Sequence, residues 1–309
     1  MNASLSAPLD RAAVFEAERP RLHGLAYRLL GSVSDAEDVV QEAWFRFERA
    51  DLDTIDRPGA WLMTVVSRLG LDRLRARQRE RADYVGPWLP DPVMAEPGPS
   101  SDEGDPAQHA ELADSLTTAF LVLLEQLSPS ERLALLLADV FGEPFRDVAG
   151  ALGKSEAAAR QLATRARSKL RAADPDLLER RADPFAAQQR VARQFVVALG
   201  AGDIEGAARL LAPEVVLLSD GGPSRHAARR PVVGSDRVAR FLVNIAQRVD
   251  TRDSITVGVT NQRPAFILRR GGEPVWVFTA DVVDGLVRRI HVMVNPDKLA
   301  AVDHRLDLL

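Results

Sequence analysis

The sequence contains no cysteine, which excludes disulfides, thiolate metal sites and thiol nucleophiles together. Histidine is nearly as scarce. His23, His109, His226, His291 and His304 lie far apart, without an HxH or HxxxH pair, so no metal site is expected and nothing in the chain calls for a cofactor. No stretch approaches the roughly 18 uninterrupted apolar residues of a membrane-crossing helix. The opening MNASLSAPLDRAAVFEAERP is too charged for a secretory leader, so a cytoplasmic protein with no membrane partner is expected. Internal repeats are also lacking. What is present is a 309-residue chain with 46% apolar and 27% charged residues, the composition of a soluble globular protein. Its length exceeds what one hydrophobic core ordinarily organises, so two or three domains are expected.

A net charge of -4 argues against nucleic acid only until its distribution is read. Residues 61–81 hold six arginines (68, 73, 75, 77, 79 and 81) against Asp72 and Glu80, and residues 146–171 hold seven basic side chains against Asp147 and Glu156. Between them, residues 96–114 carry six acids and neither lysine nor arginine. Two cationic segments joined by an anionic tether suit a protein that meets nucleic acid at two places.

Apolar spacing predicts helices over residues 11–81. Val40, Trp44 and Phe47 make a core stripe, and Ser34 with Glu37 has the S-x-x-E spacing of a capping box, which predicts a helix from about Asp35 to Asp51. DLDTIDRPG then reads as a turn, with a new helix from about Ala60. Residues 82–111, rich in proline, glycine and acid, read as a linker. Ser128-Pro129-Ser130-Glu131 predicts a further helix over residues 129–140. It is followed by a short amphipathic segment with Phe145, Val148, Ala149 and Leu152 on one face. After Gly153-Lys154-Ser155 comes a longer basic helix with Ala159, Leu162, Ala163, Ala166 and Leu170 inward. Short helix, glycine turn and long basic helix is a helix-turn-helix layout. In that layout Ser155, Glu156, Arg160 and Gln161 sit where side chains reach base edges, and Arg165 and Arg167 where they reach phosphates. The plainer reading is a solvated basic face on an ordinary helical hairpin.

Three blocks in order resemble the extracytoplasmic-function (ECF) group of bacterial sigma factors. RLHGLAYRLLGSVSDAEDVVQEAWFRF, residues 21–47, resembles the block that faces core RNA polymerase, and the resemblance assigns polymerase contacts to Asp35, Glu37, Asp38, Gln41, Glu42 and Trp44. WLMTVVSRLGLDRLR, residues 61–75, resembles the block that captures the melted minus-ten element, which implicates Arg57, Trp61, Arg68, Asp72, Arg73 and Arg75. Most members carry asparagine where this chain has Arg68, so the group's promoter preferences do not transfer. Residues 127–171 resemble the minus-thirty-five reader. The partners implied are core RNA polymerase and promoter DNA, and the function implied is directing transcription initiation.

Beyond Pro184 the pattern changes. Helices are predicted over residues 185–199 and about 203–211, followed by the strand-like runs EVVLLS, SITVGVT, AFILRR, VWVFTADVV and LVRRIHVMV, with tight hairpins at Arg270-Gly271-Gly272-Glu273 and Asp284-Gly285. In the linker, Trp88-Leu89-Pro90-Asp91-Pro92-Val93 holds two bulky apolar groups between prolines, as a docking element or merely a pin for the linker. It resembles the WLPEP-like linker of one ECF subgroup whose members carry a fused SnoaL-like domain, a cone-shaped α+β fold. Asp220-Gly221-Gly222 matches that subgroup's DGGG motif except for Pro223, and Asn295-Pro296-Asp297-Lys298-Leu299 matches its NPDKL motif. The expected architecture is therefore multidomain: two all-α domains, residues 11–81 and 112–172, the second with the helix-turn-helix, and an α+β SnoaL-like domain over residues 185–301. Trp88, Leu89, Pro90, Asp220, Gly221, Gly222, Asn295, Pro296, Asp297 and Lys298 are the candidate regulatory residues, acting in cis. Asp220, His226, Asp281 and His291 are the side chains able to move protons, but nothing pairs them in sequence, so catalysis is not expected. A small ligand of the third domain is conceivable, its identity unknown. The rivals are a one-component DNA-binding regulator with a ligand-sensing domain and a cyclase- or isomerase-like enzyme with helical appendages.

Overall fold

The computed structural model describes residues 10–80, 84–94, 115–174, 183–250 and 252–303. The chain divides into two compact units, one built from Met1–Arg77 with Pro129–Ala166, the other from Gln78–Ser128 with Arg167–Leu306. The acid-rich residues 96–114 lie outside the described residues.

The first unit is helical. α1 (Arg11–Leu30) and α2 (Val33–Arg49) pack side by side, Phe15 against Trp44 with ring centroids 5.0 Å apart. Arg11 closes the far end of α2, donating to the Phe47, Glu48 and Ala50 carbonyls that the helix terminus leaves open. α3 (Pro58–Glu80) joins through Trp61 against Phe47, and it approaches α1 closely at Gly70, where a Cβ would stand 2.7 Å from Leu29. The expected capping box at Ser34 and Glu37 is a correction: α2 starts at Val33, its N-cap is Ser32, and no side chain caps it. Ser34 already lies one residue inside the helix, where its hydroxyl cannot reach an unpaired first-turn amide.

The expected helix over residues 129–140 forms over those residues, with its last turn wound as a π-helix. α4 (Thr118–Leu124), which belongs to the second unit, precedes α5 (Pro129–Leu135), and α5 passes into a π-helical turn at Leu136–Val140, closed by the Phe141 amide on the Leu136 carbonyl. α6 (Phe145–Leu152) and α7 (Glu156–Ala173) follow around Gly153. Val148, Ala149, Ala159, Ala163, Ala166 and Leu170 point inward as their spacing predicts, while Leu162 is half-buried. Arg132, fully buried, donates to the Leu29 carbonyl, so a cation fastens α5 to α1.

The second unit is a six-stranded sheet with helices on one face. β1 (Leu211–Asp220), β2 (Val232–Val233), β3 (Ser254–Thr260), β4 (Arg263–Arg270), β5 (Glu273–Val283) and β6 (Leu286–Met293) run in the order β2-β1-β6-β5-β4-β3, antiparallel except for the β1–β6 pair. Both expected hairpins form, and a third joins β3 to β4 through Asn261 (φ 49) and Gln262 (φ 60). α8 (Phe185–Ala201), α9 (Ile204–Arg209) and α10 (Ser235–Ala246) cover one face, where Phe195 stacks on Phe278 and Phe266 meets Phe278 edge to face. The α+β class of this unit is the one expected, with α10 as an addition to the expected elements. Strand alternation sends the intervening side chains to the other face. There Ile267, Val277 and Met293 meet Leu299 and Val302 from α11 (Pro296–Leu299) and the turn after it.

Candidate functional site

The linker lies on that second face. Leu89, 1% exposed, is seated among Ala265, Ile267, Val277, Met293 and Leu299, a burial worth about 2 kcal/mol for a leucine. Farther along, Met94 bridges to Thr260, the Asn261 amide donates to the Val93 carbonyl, and the Asn261 side chain accepts from the Val93 amide while donating to the Leu116 carbonyl. The linker thus adds an extended segment beside the end of β3, held by an asparagine whose positive φ turns its side chain back on the chain.

At the other end a single carboxylate gathers the linker. Asp220, the last residue of β1 and 0% exposed, accepts at Oδ1 from the Tyr84 hydroxyl (2.6 Å) and the Gly222 amide (3.0 Å), and at Oδ2 from the Leu89 amide (2.8 Å) and Lys298 Nζ (2.7 Å). Its backbone carbonyl receives the Val294 and Asn295 amides. Lys298 also donates to the Leu89 carbonyl and stands 3.9 Å from the Trp88 ring centroid, a cation–π contact. Asn295 caps α11 through the Asp297 amide and donates from Nδ2 to the Tyr84 hydroxyl. Burial, first, and the bond to Asp220, second, raise the Tyr84 pKa well above that of an ordinary phenol. Gly222 has a φ of +56, and a Cβ there would lie 2.6 Å from Asn295; at Gly221 a Cβ would lie 2.5 Å from the Arg225 carbonyl oxygen. The DGG and NPDKL runs therefore meet each other and the WLPDPV run in one polar knot. Pro223, where the motif has a third glycine, is exposed in the following turn and touches none of these bonds.

The helical unit presents a different surface. On α2, Glu37, Asp38, Gln41 and Glu42 are exposed and Trp44 is half-buried, whereas Asp35 is 3% exposed and paired with Arg73 (2.7 Å) and Arg77 (2.5 Å) of α3. Asp35 thus turns inward and ties α2 to α3. Asp72 and Arg75 pair with each other, and Trp61 is half-buried on Phe47. Arg57 donates to both oxygens of Asp147 on α6 at 2.9 Å, and Arg68 donates to the Gly150 carbonyl at 2.8 Å. At the start of α7 the Ser155 hydroxyl accepts from the Ala158 amide, as an N-cap does. Glu156 and Arg160 pair at 2.9 Å, with the Arg160 guanidinium 5.0 Å from the Phe145 ring centroid. Gln161 and Arg165 are exposed, and Arg167 is half-buried.

Residues 14–80 match the family model for Sigma-70 region 2, and residues 117–170 that for Sigma-70, region 4. The ECF RNA polymerase sigma factor SigJ of Mycobacterium tuberculosis is 46% identical over 234 residues, spanning 76% of this chain and 72% of that protein. The chain belongs to the ECF sigma factors. A second relative of this sigma factor, the probable ECF RNA polymerase sigma factor SigI of M. tuberculosis, is 32% identical over 293 residues, 93% of this chain and 94% of that one. The crystal structure of M. tuberculosis SigJ is similar at a TM-score of 0.73 and 36% identity, covering 94% of this chain and 99% of that one, so the extra sheet domain of this sigma factor has a solved counterpart.

Among the proton-moving side chains, the sigma factor's sheet separates the candidates. Asp220, Asp281 and His291 occupy the linker face, with Asp281 paired to Arg263 and His291 Nδ1 3.8 Å from Asp281. Burial pushes the His291 pKa down to about 4. His226 lies in the loop after β1 on the opposite, helix-covered side. Tyr84 and Asn261 are the residues of the linker site that sequence reasoning missed. Tyr84 stands four residues ahead of Trp88 with no motif around it, and Asn261 is signalled only as a turn former between two strand-like runs.

Proposed function

We propose that this protein recruits core RNA polymerase to a promoter, acting in the cytoplasm where that enzyme works, and that its sheet domain governs the process in cis through the linker. On this reading the exposed Glu37, Asp38, Gln41 and Glu42, with the edge of Trp44, dock on the polymerase. Residues from Arg57 through Arg75 engage the minus-ten element, and the face of α7 from Ser155 to Arg167 reads the minus-thirty-five element. The observation that carries the cis reading is Asp220: a buried carboxylate with four donors, two of them from the segment that joins the two promoter-binding parts. A tether held at both ends limits how far apart those parts travel. Engagement of Arg57 with Asp147 and of Arg68 with Gly150 adds a second restraint, since promoter phosphates compete with these partners for the same guanidinium groups.

We read the protein as a non-catalytic factor, because both oxygens of Asp220 are taken up by donors and His226 faces away from the other proton-moving groups. The test is run-off transcription with core polymerase and a promoter library, comparing the natural chain with Asp220→Ala and Lys298→Met. The natural chain is expected to start transcripts from a subset of promoters, and both variants to change the yield from that subset. Absence of any polymerase-dependent start with the natural chain overturns the sigma-factor role. Equal yields from all three chains overturn the cis role alone.

A further inference from the structure

The helix-covered face of the sheet is not fully packed. Between α8, α10 and the strands lies a cavity of about 1000 Å³, at the top of the ~300–1000 Å³ range of small-molecule sites. Its walls are apolar and aromatic, with Val196, Phe241, Trp276 and Phe278 among them. The cavity opens to solvent on one side, so a ligand can enter it without displacing a packed element. Ile245 and Ile255, both lining it, are 38% and 46% exposed, so apolar surface continues to the rim.

The charge of the lining is of one sign. Arg225, Arg240, Arg248 and Arg270 border the cavity, and among the described residues no Asp or Glu does. Arg240 is paired with Asp236 and Arg270 with Asp253. Arg225 and Arg248 have no side-chain partner among the described residues, and they come from different elements, the loop after β1 and the turn after α10. Both side chains are exposed where they border the cavity, so they can meet a ligand's charge without first giving up a protein partner. A small hydrophilic anion leaves the aromatic walls wet. We infer that this cavity binds an amphipathic anion, a long apolar chain or ring system ending in one acidic head group, with the apolar part against Phe241, Trp276 and Phe278 and the head group held by Arg225 and Arg248. The loop that carries Arg225 is held in place by the sheet end before it, since the Arg225 amide donates to the Gly221 carbonyl and Gly221 is where a Cβ would strike that loop. The inference is independent of the cis reading, since it concerns binding alone.

The test uses the full chain and oleate, with displacement of a fluorescent polyene fatty acid as the readout below the micellar concentration. Oleate is expected to displace the probe with one-to-one stoichiometry, and oleyl alcohol, the same chain without the charge, at least tenfold less well. The double variant Arg225→Gln with Arg248→Gln should weaken oleate binding by about tenfold, and Val196→Trp, which fills the cavity from α8, should abolish it, both with an unchanged circular dichroism spectrum. A long-chain phosphate that outcompetes oleate supports the site and assigns its head group. No saturable binding, equal affinity for the alcohol, or affinity unaltered in both variants overturns the inference, the last by locating binding elsewhere on the chain.

Discussion

Removing the carboxylate of Asp220 should free the linker from the sheet. Asp220 is fully buried and faces Lys298 at 2.7 Å, and breaking a buried ion pair by deleting one partner costs about 3–5 kcal/mol. The lower end applies here, because after Asp220→Ala the lysine keeps the Leu89 carbonyl and the Trp88 ring. The linker's own share is two hydrogen bonds to a charged group, from the Tyr84 hydroxyl and the Leu89 amide, worth about 1.5 kcal/mol each, and their joint loss is about a hundredfold in the population of the released linker. Asp220→Asn should be nearly as damaging. An asparagine offers one acceptor atom where two are needed, so either the Tyr84 and Gly222 donors or the Leu89 and Lys298 donors would meet an N–H. Lys298→Met should cost about as much, about 3 kcal/mol, since it leaves the buried carboxylate with three donors but no countercharge. Combined with Asp220→Ala it should cost at least about 1 kcal/mol less than the sum of the two.

Amide hydrogen exchange resolved at Val93 measures this cleanly, because its acceptor is Asn261 and not Asp220. If the linker is released as one piece, protection at Val93 falls about a hundredfold in Asp220→Ala and Asp220→Asn. Unchanged protection at Val93, with loss only at Leu89, would refute the idea that one carboxylate holds the whole segment.

Four further outcomes follow from particular contacts. Gly222→Ala places a side chain at a positive φ and against Asn295, and should lower the stability of the sheet domain by about 2 kcal/mol in urea unfolding, whereas Gly271→Ala, with open space around it, should cost only the backbone strain of about 1 kcal/mol; equal losses contradict the contact. Asp35→Ala should destabilise the helical unit by about 1–3 kcal/mol, and Glu42→Ala by under about 0.5 kcal/mol; the reverse order refutes the inward placement of Asp35. Asp147→Ala releases Arg57 and should tighten binding of the free chain to labelled single-stranded DNA in fluorescence anisotropy; unchanged affinity refutes the competition. His291 is held neutral by burial, with Asp281 and Arg289 as its charged neighbours, so its pKa of about 4 lies below the ~6.5 of an unfolded histidine. Its contribution is complete above pH ~6.5 and is lost as the pH falls toward 4, about 3 kcal/mol in all, so His291→Gln should flatten the urea midpoint over that interval; parallel curves would contradict it.

Much of the architecture is legible in the sequence because it rests on local chemistry. The helix-turn-helix is written in the 3.6-residue spacing of Val148, Ala159, Ala163, Ala166 and Leu170 around Gly153, and two hairpins in the Gly-Gly and Asp-Gly pairs that accept positive φ. α10 is written just as plainly in the spacing of Val238, Ala239, Leu242 and Val243, but it is a single helix set among strand-like runs, which mask it. What no local pattern encodes is which way a charged residue turns. Asp35 belongs to the same acidic run as Glu37 and Asp38, and only the arrival of Arg73 and Arg77 from α3, some forty positions later, makes it a buried anchor. The pairing of Arg57 with Asp147 likewise depends on packing between distant helices. Motif resemblance identifies Trp88, Asp220, Asn295 and Lys298 as a set, without giving the bonds that make them one.

Those bonds follow from the period of a strand. Leu217 and Ser219 of β1 face the helices, and Leu218 and Asp220 face the linker; on β6, Val292 faces the helices and Met293 the linker. A run of two or three residues at the end of β1 and another after β6 therefore reaches both faces at once. The parallel β1–β6 pair sets Asp220 opposite Met293, so the two motif-bearing strand ends lie side by side although more than seventy residues separate them in sequence. An antiparallel pairing in this register would send β6 away from the end of β1 that bears Asp220 and carry Lys298 to the opposite edge. The crossover that makes β1 and β6 parallel is thus the feature that brings the lysine within reach of its carboxylate, and the linker is docked on residues that only this register brings together.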